Sequence, residues 1–194
     1  MRFKEVPKIE NIEDKDNYVN IVLNSDSELG KKLSIGYPFK FKTIFGNVGS
    51  VRNAIDYVTT PGYPVNLLSK SKLRSEEISK IPKNKVRLTN YYAVVMYILT
   101  ERVKQDEDLI RELMENDMIL TSYYTNKREI AGETVTVIIP KNDNAMLVQM
   151  YSDIEQAIKD NGGVLNDEIQ EKLIKSYITN PDKRLFDGVP FTVG

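Results

Sequence analysis

The 194-residue chain contains no histidine, no cysteine and no tryptophan. Without thiols there is no thiolate nucleophile and no disulfide. Without imidazole there is no histidine general base, and without either there is no ordinary zinc site. Acid–base and nucleophilic chemistry is left to carboxylates, lysines, tyrosines and hydroxyls. No apolar run reaches the roughly 18 residues of a membrane-spanning helix. The N-terminal Met1-Arg2-Phe3-Lys4-Glu5-Val6-Pro7 lacks the apolar core of a signal peptide. The sequence therefore reads as that of a cytoplasmic protein with no membrane association. Lysine and arginine number 27 against 28 aspartates and glutamates, a net charge of −1, so no overall field favours a polyanion such as nucleic acid. The pattern calls for no cofactor and no metal. Asp106-Glu107-Asp108 has the composition of a metal cluster, but acids at a helix start answer the helix dipole, and no calcium-loop spacing follows.

What is present suffices for one sizeable core, with 41% hydrophobic residues. Abundant Asn, Lys and Ile suggest an AT-rich coding source, such as a low-GC bacterium or its phage. The organisation expected is a charged arm over 1–17, a single domain over 18–180 and a tail over 181–194. Tyr18 to Leu23 has strand composition, Asn24 to Ser27 has turn chemistry, and Phe39 to Phe45 alternates with period two, as a half-buried strand does. Gly46 to Gly49 reads as a break, followed by a helix to Tyr57 or Val58 with Ser50 as its N-cap. Between residues 69 and 88 lies a basic strip, Lys70, Lys72, Arg74, Lys80, Lys83, Lys85 and Arg87, either a solvated loop or a phosphate-gripping edge.

Helices follow near 89–104 and 106–116. In the first, Tyr92, Val95, Met96, Leu99 and Val103 form the apolar stripe, with Lys85, Arg87, Glu101 and Arg102 among the polar positions, and Asp106 caps the second. Two β-rich runs, 118–124 and 133–139, make a hairpin around 125–132. A helix near 145–160 ends at Asn161-Gly162-Gly163, and Asn166 caps a last helix to Tyr177. The tail, with Leu185, Phe186, Val189 and Phe191, is too apolar for pure disorder and suits docking onto the body or a protein partner. Tyr91-Tyr92 and Tyr123-Tyr124 are candidate stacking platforms. The fold class is α+β, predominantly helical, with a short strand and a β-hairpin.

Several segments occur in a familiar order. They are Leu33-Ser34-Ile35-Gly36-Tyr37-Pro38-Phe39, then Ser50-Val51-Arg52-Asn53-Ala54-Ile55-Asp56-Tyr57, the run from Val95 through Asp108 to Leu120, and Asn144-Ala145-Met146-Leu147 to Ile154. In this order they resemble the NADAR (YbiA-like) family, from residue 33 to about 158. Departures accompany the matches: the family's Glu falls on Arg52, its His on Asn53 and its Lys on Thr59, and its Trp-Gly is missing.

The resemblance implies a single NADAR-like domain with a pocket for a nucleotide or ADP-ribose-like molecule. It also implies N-glycosidase activity on an ADP-ribosylated base or a riboflavin-pathway-like N-glycoside. Asp56 becomes the candidate catalytic carboxylate, able to stabilise positive charge on ribose or to activate water. Arg52 and Arg87 are phosphate ligands, Ser34, Asn53 and Asn144 hydrogen-bonding ligands, and Tyr37 a stacking surface. The bland reading is that Arg52 and Asp56, four apart, pair along the helix. The altered positions keep other readings open: an inactive phage or bacterial binding protein that sequesters a partner in anti-defence, or a virion-associated structural component.

Overall fold

The computed structural model describes residues 1–189, the side chain of Ile12 excepted. The fold is α+β and mostly helical. The chain groups into two compact units, each built from two stretches of sequence: unit 1 from Met1–Ser34 and Arg111–Gly163, unit 2 from Ile35–Ile110 and the residues from Val164 onward. The expected arm over 1–17 is an integral part of unit 1.

In unit 1 the arm is fixed by burial of Val6 and Ile9. The Val6 N–H donates to Asn142 Oδ1 at 3.2 Å, and the Thr121 hydroxyl donates to the Pro7 carbonyl. A 3-10 turn, Ile12–Asn17, leads into β1, Tyr18–Asn20. This strand pairs in parallel with β4, Ile119–Thr121, in the register Val19↔Leu120. The short helix α1, Glu28–Leu33, is capped by Ser27, whose Oγ accepts from the Gly30 N–H. Helix α7, Ala145–Asp160, buries Leu147, Met150, Tyr151, Ile154 and Ile158, a stripe at helical spacing. Gly162 and Gly163 adopt positive φ of 65° and 86° after it, the left-handed termination that glycine tolerates best.

The hairpin is longer than the sequence suggests. Strand β5 spans Tyr123–Ile130 and β6 spans Glu133–Pro140, in the register Ile130↔Glu133 to Tyr123↔Pro140. The loop expected over 125–132 shrinks to Ala131-Gly132, with φ of 53° and 85°, as a two-residue type I′ turn requires. Thr125 to Glu129 are all polar and exposed, so no period-two burial marked them as strand; the ladder with β6 does.

Unit 2 is centred on α5, Tyr91–Lys104, in which every residue from Ala93 to Thr100 is buried. Against it lie β2 (Phe41–Thr43), α2 (Val51–Thr59) and α8 (Asp167–Ser176). Ser50 caps α2 through the Asn53 N–H, and Asn166 caps α8 through the Ile169 N–H, both as expected. Gly46 to Val48 do not break the structure but form β3, antiparallel to β2 with Phe41↔Val48; the chain reverses at Ile44-Phe45, where the Tyr97 hydroxyl accepts from the Ile44 N–H. A four-residue helix, α3 (Val65–Leu68), precedes the region read as a basic strip, and a second, α4 (Ser75–Ile78), lies within it.

Helix α6, Glu107–Glu115, begins at Asp106, whose Oδ1 accepts from the Leu109 N–H. The other carboxylate oxygen of Asp106 takes Arg102 at 2.8 Å. Arg102, expected among the polar positions of its helix, is instead 1% exposed, its guanidinium 3.6 Å from the Phe39 ring centroid. Pairing and stacking make that burial tolerable where an isolated charge would be costly.

The start of the tail docks on unit 2. The Asn90 side-chain amide donates to the carbonyls of Asn180, Lys183 and Arg184, and Phe186 packs edge-on to Tyr97 and Phe45 at 5.3 and 5.6 Å. Residues 190–194, including Phe191, lie outside the described residues. No helix among the described residues is long and apolar enough to cross a membrane.

Candidate functional site

Five of the seven sequence-derived site residues belong to unit 2 and two, Ser34 and Asn144, to unit 1. On α2, Asn53 is buried, and its Nδ2 donates to the carbonyls of Leu67, Leu68 and Lys70 at 3.2, 3.4 and 2.8 Å. Gly49 holds the same loop: its N–H donates to the Leu68 carbonyl, and a Cβ there would lie 2.0 Å from the Lys70 carbonyl oxygen. Asn53 is thus a clamp on the chain between α3 and α4, its donor capacity directed at backbone.

Asp56 is half-buried and accepts from Lys85 Nζ at 2.8 Å. The pairing expected with Arg52 is replaced by this longer-range one, and Arg52 is exposed, its backbone N–H donating to the Ile35 carbonyl. The Asp56 charge is felt by two phenols. Burial, followed by Asp56, pushes the Tyr63 hydroxyl up to about 12, and burial, then Tyr92 and Asp56, raise Tyr91. Tyr37 is half-buried and Arg87 exposed.

Part of the basic strip is structural. Glu77, buried on α4, accepts from the Arg74 N–H at 2.9 Å and forms ion pairs with Lys70 and Arg74. The Arg74 N–H and the Lys70 ammonium hold its carboxyl down at about 2. In unit 1, Ser34 ends α1 with its N–H donating to the Lys31 carbonyl, and Asn144 Nδ2 donates to Ser122 Oγ at 2.8 Å.

Unit 1 also contains an open cavity of about 260 Å³. The 3-10 turn brings Lys15 and Asp16 to it. Strand β1 contributes Tyr18 and Asn20, two positions apart and so on one face, while Val19 between them is buried. Ser25, Asp26 and Ser27 come from the turn before α1, and Met118 and Tyr123 flank β4.

The wall is built tightly. The Asn20 side chain donates to the Tyr123 carbonyl at 3.1 Å and accepts its N–H at 2.9 Å. Ser25 Oγ accepts from the Ser27 N–H, and Gly30 sits so close that a Cβ would meet the Asn20 carbonyl oxygen at 2.3 Å and Ser25 Oγ at 2.4 Å. Burial, then the charges of Asp26 and Asp16, raise the Tyr123 phenol. Two phenols, Tyr18 and Tyr123, and two carboxylates therefore line the same space, with Lys15 as the single cation of the lining.

Sequence reasoning reached Tyr123 as a stacking candidate but left Asp16 among the arm charges and Asp26 in a turn. The signal that would have found them is the parallel pairing of β1 with β4, which joins segments about a hundred residues apart and has no local signature.

Comparison with protein-family models, with curated proteins and with solved structures finds no match to this chain. Function must be argued from the two units themselves.

Proposed function

We propose that the protein recognises a nucleoside-type ligand, a planar base carrying a ribose, in the unit 1 cavity. The observation that carries this is the convergence of the Tyr123 phenol with Asp16 and Asp26. Carboxylates accept hydrogen bonds from vicinal sugar hydroxyls, as the acidic residue of dinucleotide folds does. A tyrosine ring offers a face to a base, and Lys15, Tyr18 and Ser27 add polar groups to the lining.

Size and charge set the ligand class. A cavity of about 260 Å³ lies just under the range of about 300–1,000 Å³ usual for drug-sized ligands, which suits a nucleoside better than ADP-ribose. Two carboxylates against one ammonium repel a diphosphate. The reading therefore narrows the ADP-ribose or nucleotide expected from the family resemblance to its nucleoside part. Asp56 acts here as the partner of Lys85, and any N-glycoside hydrolysis would draw its carboxylate from Asp16 or Asp26.

Calorimetric titration with adenosine, guanosine and ADP-ribose tests this. A nucleoside should bind, ADP-ribose should bind more weakly, and Asp26→Asn should weaken nucleoside binding about tenfold, the loss of one charge-assisted hydrogen bond. Absence of binding heat and of any melting-point shift at several millimolar nucleoside would discard the reading.

A further inference from the structure

The two strands of the unit 1 hairpin differ as edges. Strand β5 carries Lys127, Arg128 and Glu129 near its outer end, the charges that natural sheets use to discourage pairing with another chain. Strand β6 reads Glu133-Thr134-Val135-Thr136-Val137-Ile138-Ile139-Pro140. From Thr134 to Ile139 it has no charge, no proline and no glycine, and all six residues are β-branched. Strand β6 pairs with β5 alone, with the 3-10 turn Ile12–Asn17 lying against it, and such a segment at the edge of a sheet is the composition most prone to add a strand.

The register locates the open groups. In a two-residue hairpin the residues flanking the turn, here Ile130 and Glu133, exchange hydrogen bonds, and the pattern then alternates. Thr134, Thr136 and Ile138 consequently direct their backbone N–H and C=O groups away from β5. Thr134 and Thr136 are exposed. On one face of the ladder β6 presents Val135, Val137 and Ile139 in a row beyond Glu133, and the β5 row beside it mixes Tyr124 and Ile130, 52% and 55% exposed, with Asn126 and Arg128.

We propose that β6 pairs antiparallel with β6 of a second copy of this chain, about a two-fold axis at Thr136. That register sets Thr134 opposite Ile138 and Val135 opposite Val137, and Glu133 opposite Ile139 rather than its own copy, so no like charges meet. The result is a four-stranded sheet, ordered β5-β6-β6-β5, in which Val135 and Val137 of both copies meet at the centre of one face. Its new edges are both β5, guarded by Lys127, Arg128 and Glu129. Pairing therefore closes at the dimer instead of propagating, as an isologous interface does. A two-stranded ribbon is marginal alone, and three or more strands stabilise it. The assembly does not depend on what the cavity binds.

Sedimentation velocity of the full chain across a concentration series tests this. The wild type should sediment at twice the 22.2 kDa chain mass. Thr136→Lys places a charge on the shared edge, and Thr136→Pro removes an N–H that the hairpin itself does not use. Both should give monomers at the same concentrations, their dissociation constants raised at least a hundredfold, with far-ultraviolet circular dichroism unchanged. A wild type that stays monomeric up to millimolar concentration overturns the proposal whatever the variants do, as does a folded Thr136→Lys that dimerises like the wild type.

Discussion

Asp56 in unit 2 and Asp26 in unit 1 are both carboxylates close to tyrosines, yet their surroundings differ. Asp56 sits on a capped helix, half-buried, with Lys85 at 2.8 Å, and its neighbour Asn53 is bonded to three backbone carbonyls. Asp26 sits in a turn whose serines bond to local backbone, and it lines a cavity. Asp56 and Asn53 are thus engaged by partners within the protein, while an ordinary turn supplies an acid that lines a cavity. What makes a polar residue available is the absence of a better intramolecular partner, and that is a property of packing.

The two glycines at close approach test how rigid each region must be. Gly49→Ala drives a methyl into the Lys70 backbone and should cost about 3 kcal/mol or more. Gly30→Ala should cost somewhat less, about 2 kcal/mol, because one of its two close contacts is a serine hydroxyl; it should also abolish nucleoside binding, which Gly49→Ala should leave intact in the folded fraction. Urea denaturation and calorimetry on both variants check this, and equal loss of binding in the two would erase the distinction between the regions.

Next in size, Asn53→Ala removes the amide donor from the Leu67, Leu68 and Lys70 carbonyls, of which the first two keep the Lys70 and Gly49 N–H groups, and should cost about 1–2 kcal/mol, with nucleoside affinity unchanged once folded. A folded Asn53→Ala that no longer binds nucleoside would return Asn53 to the role that the family resemblance gives it.

Glu77 gives unit 2 an acid dependence. Its folded pKa, about 2, lies below the ordinary value of 4.5. Its contribution is therefore complete above about 4.5 and is lost as pH falls from there toward 2. Thermal melts between pH 5 and 2 should show a shallower decline for Glu77→Gln than for the wild type; identical slopes would mean that the Arg74 and Lys70 contacts do not hold in solution.

The smallest effect is expected at Asp56. With Lys85 mostly exposed, Asp56→Asn should change stability by less than about 1 kcal/mol, and should lower the Tyr63 phenol from about 12 by removing one of its two causes. Spectrophotometric titration of tyrosine ionisation reads that shift. If Asp56→Asn instead abolished cleavage of an N-glycoside that the wild type hydrolyses, Asp56 would be the working acid and the contrast with Asp26 would reverse.

Local chemistry alone determined much of this protein. The caps at Ser50, Asp106 and Asn166 and the end of α7 at Gly162-Gly163 follow from short-range hydrogen bonding and backbone conformation, and each was legible in the sequence. Tertiary structure decided the rest. Arg102 became buried because Asp106 and Phe39 both reach it, Thr125 to Ile130 became strand because β6 pairs with them, and Asp16 came to share a cavity with Asp26 and Tyr123 because β1 lies beside β4. Long-range pairings of this kind are set by which surfaces meet when the chain closes on itself, and a one-dimensional pattern carries no record of them.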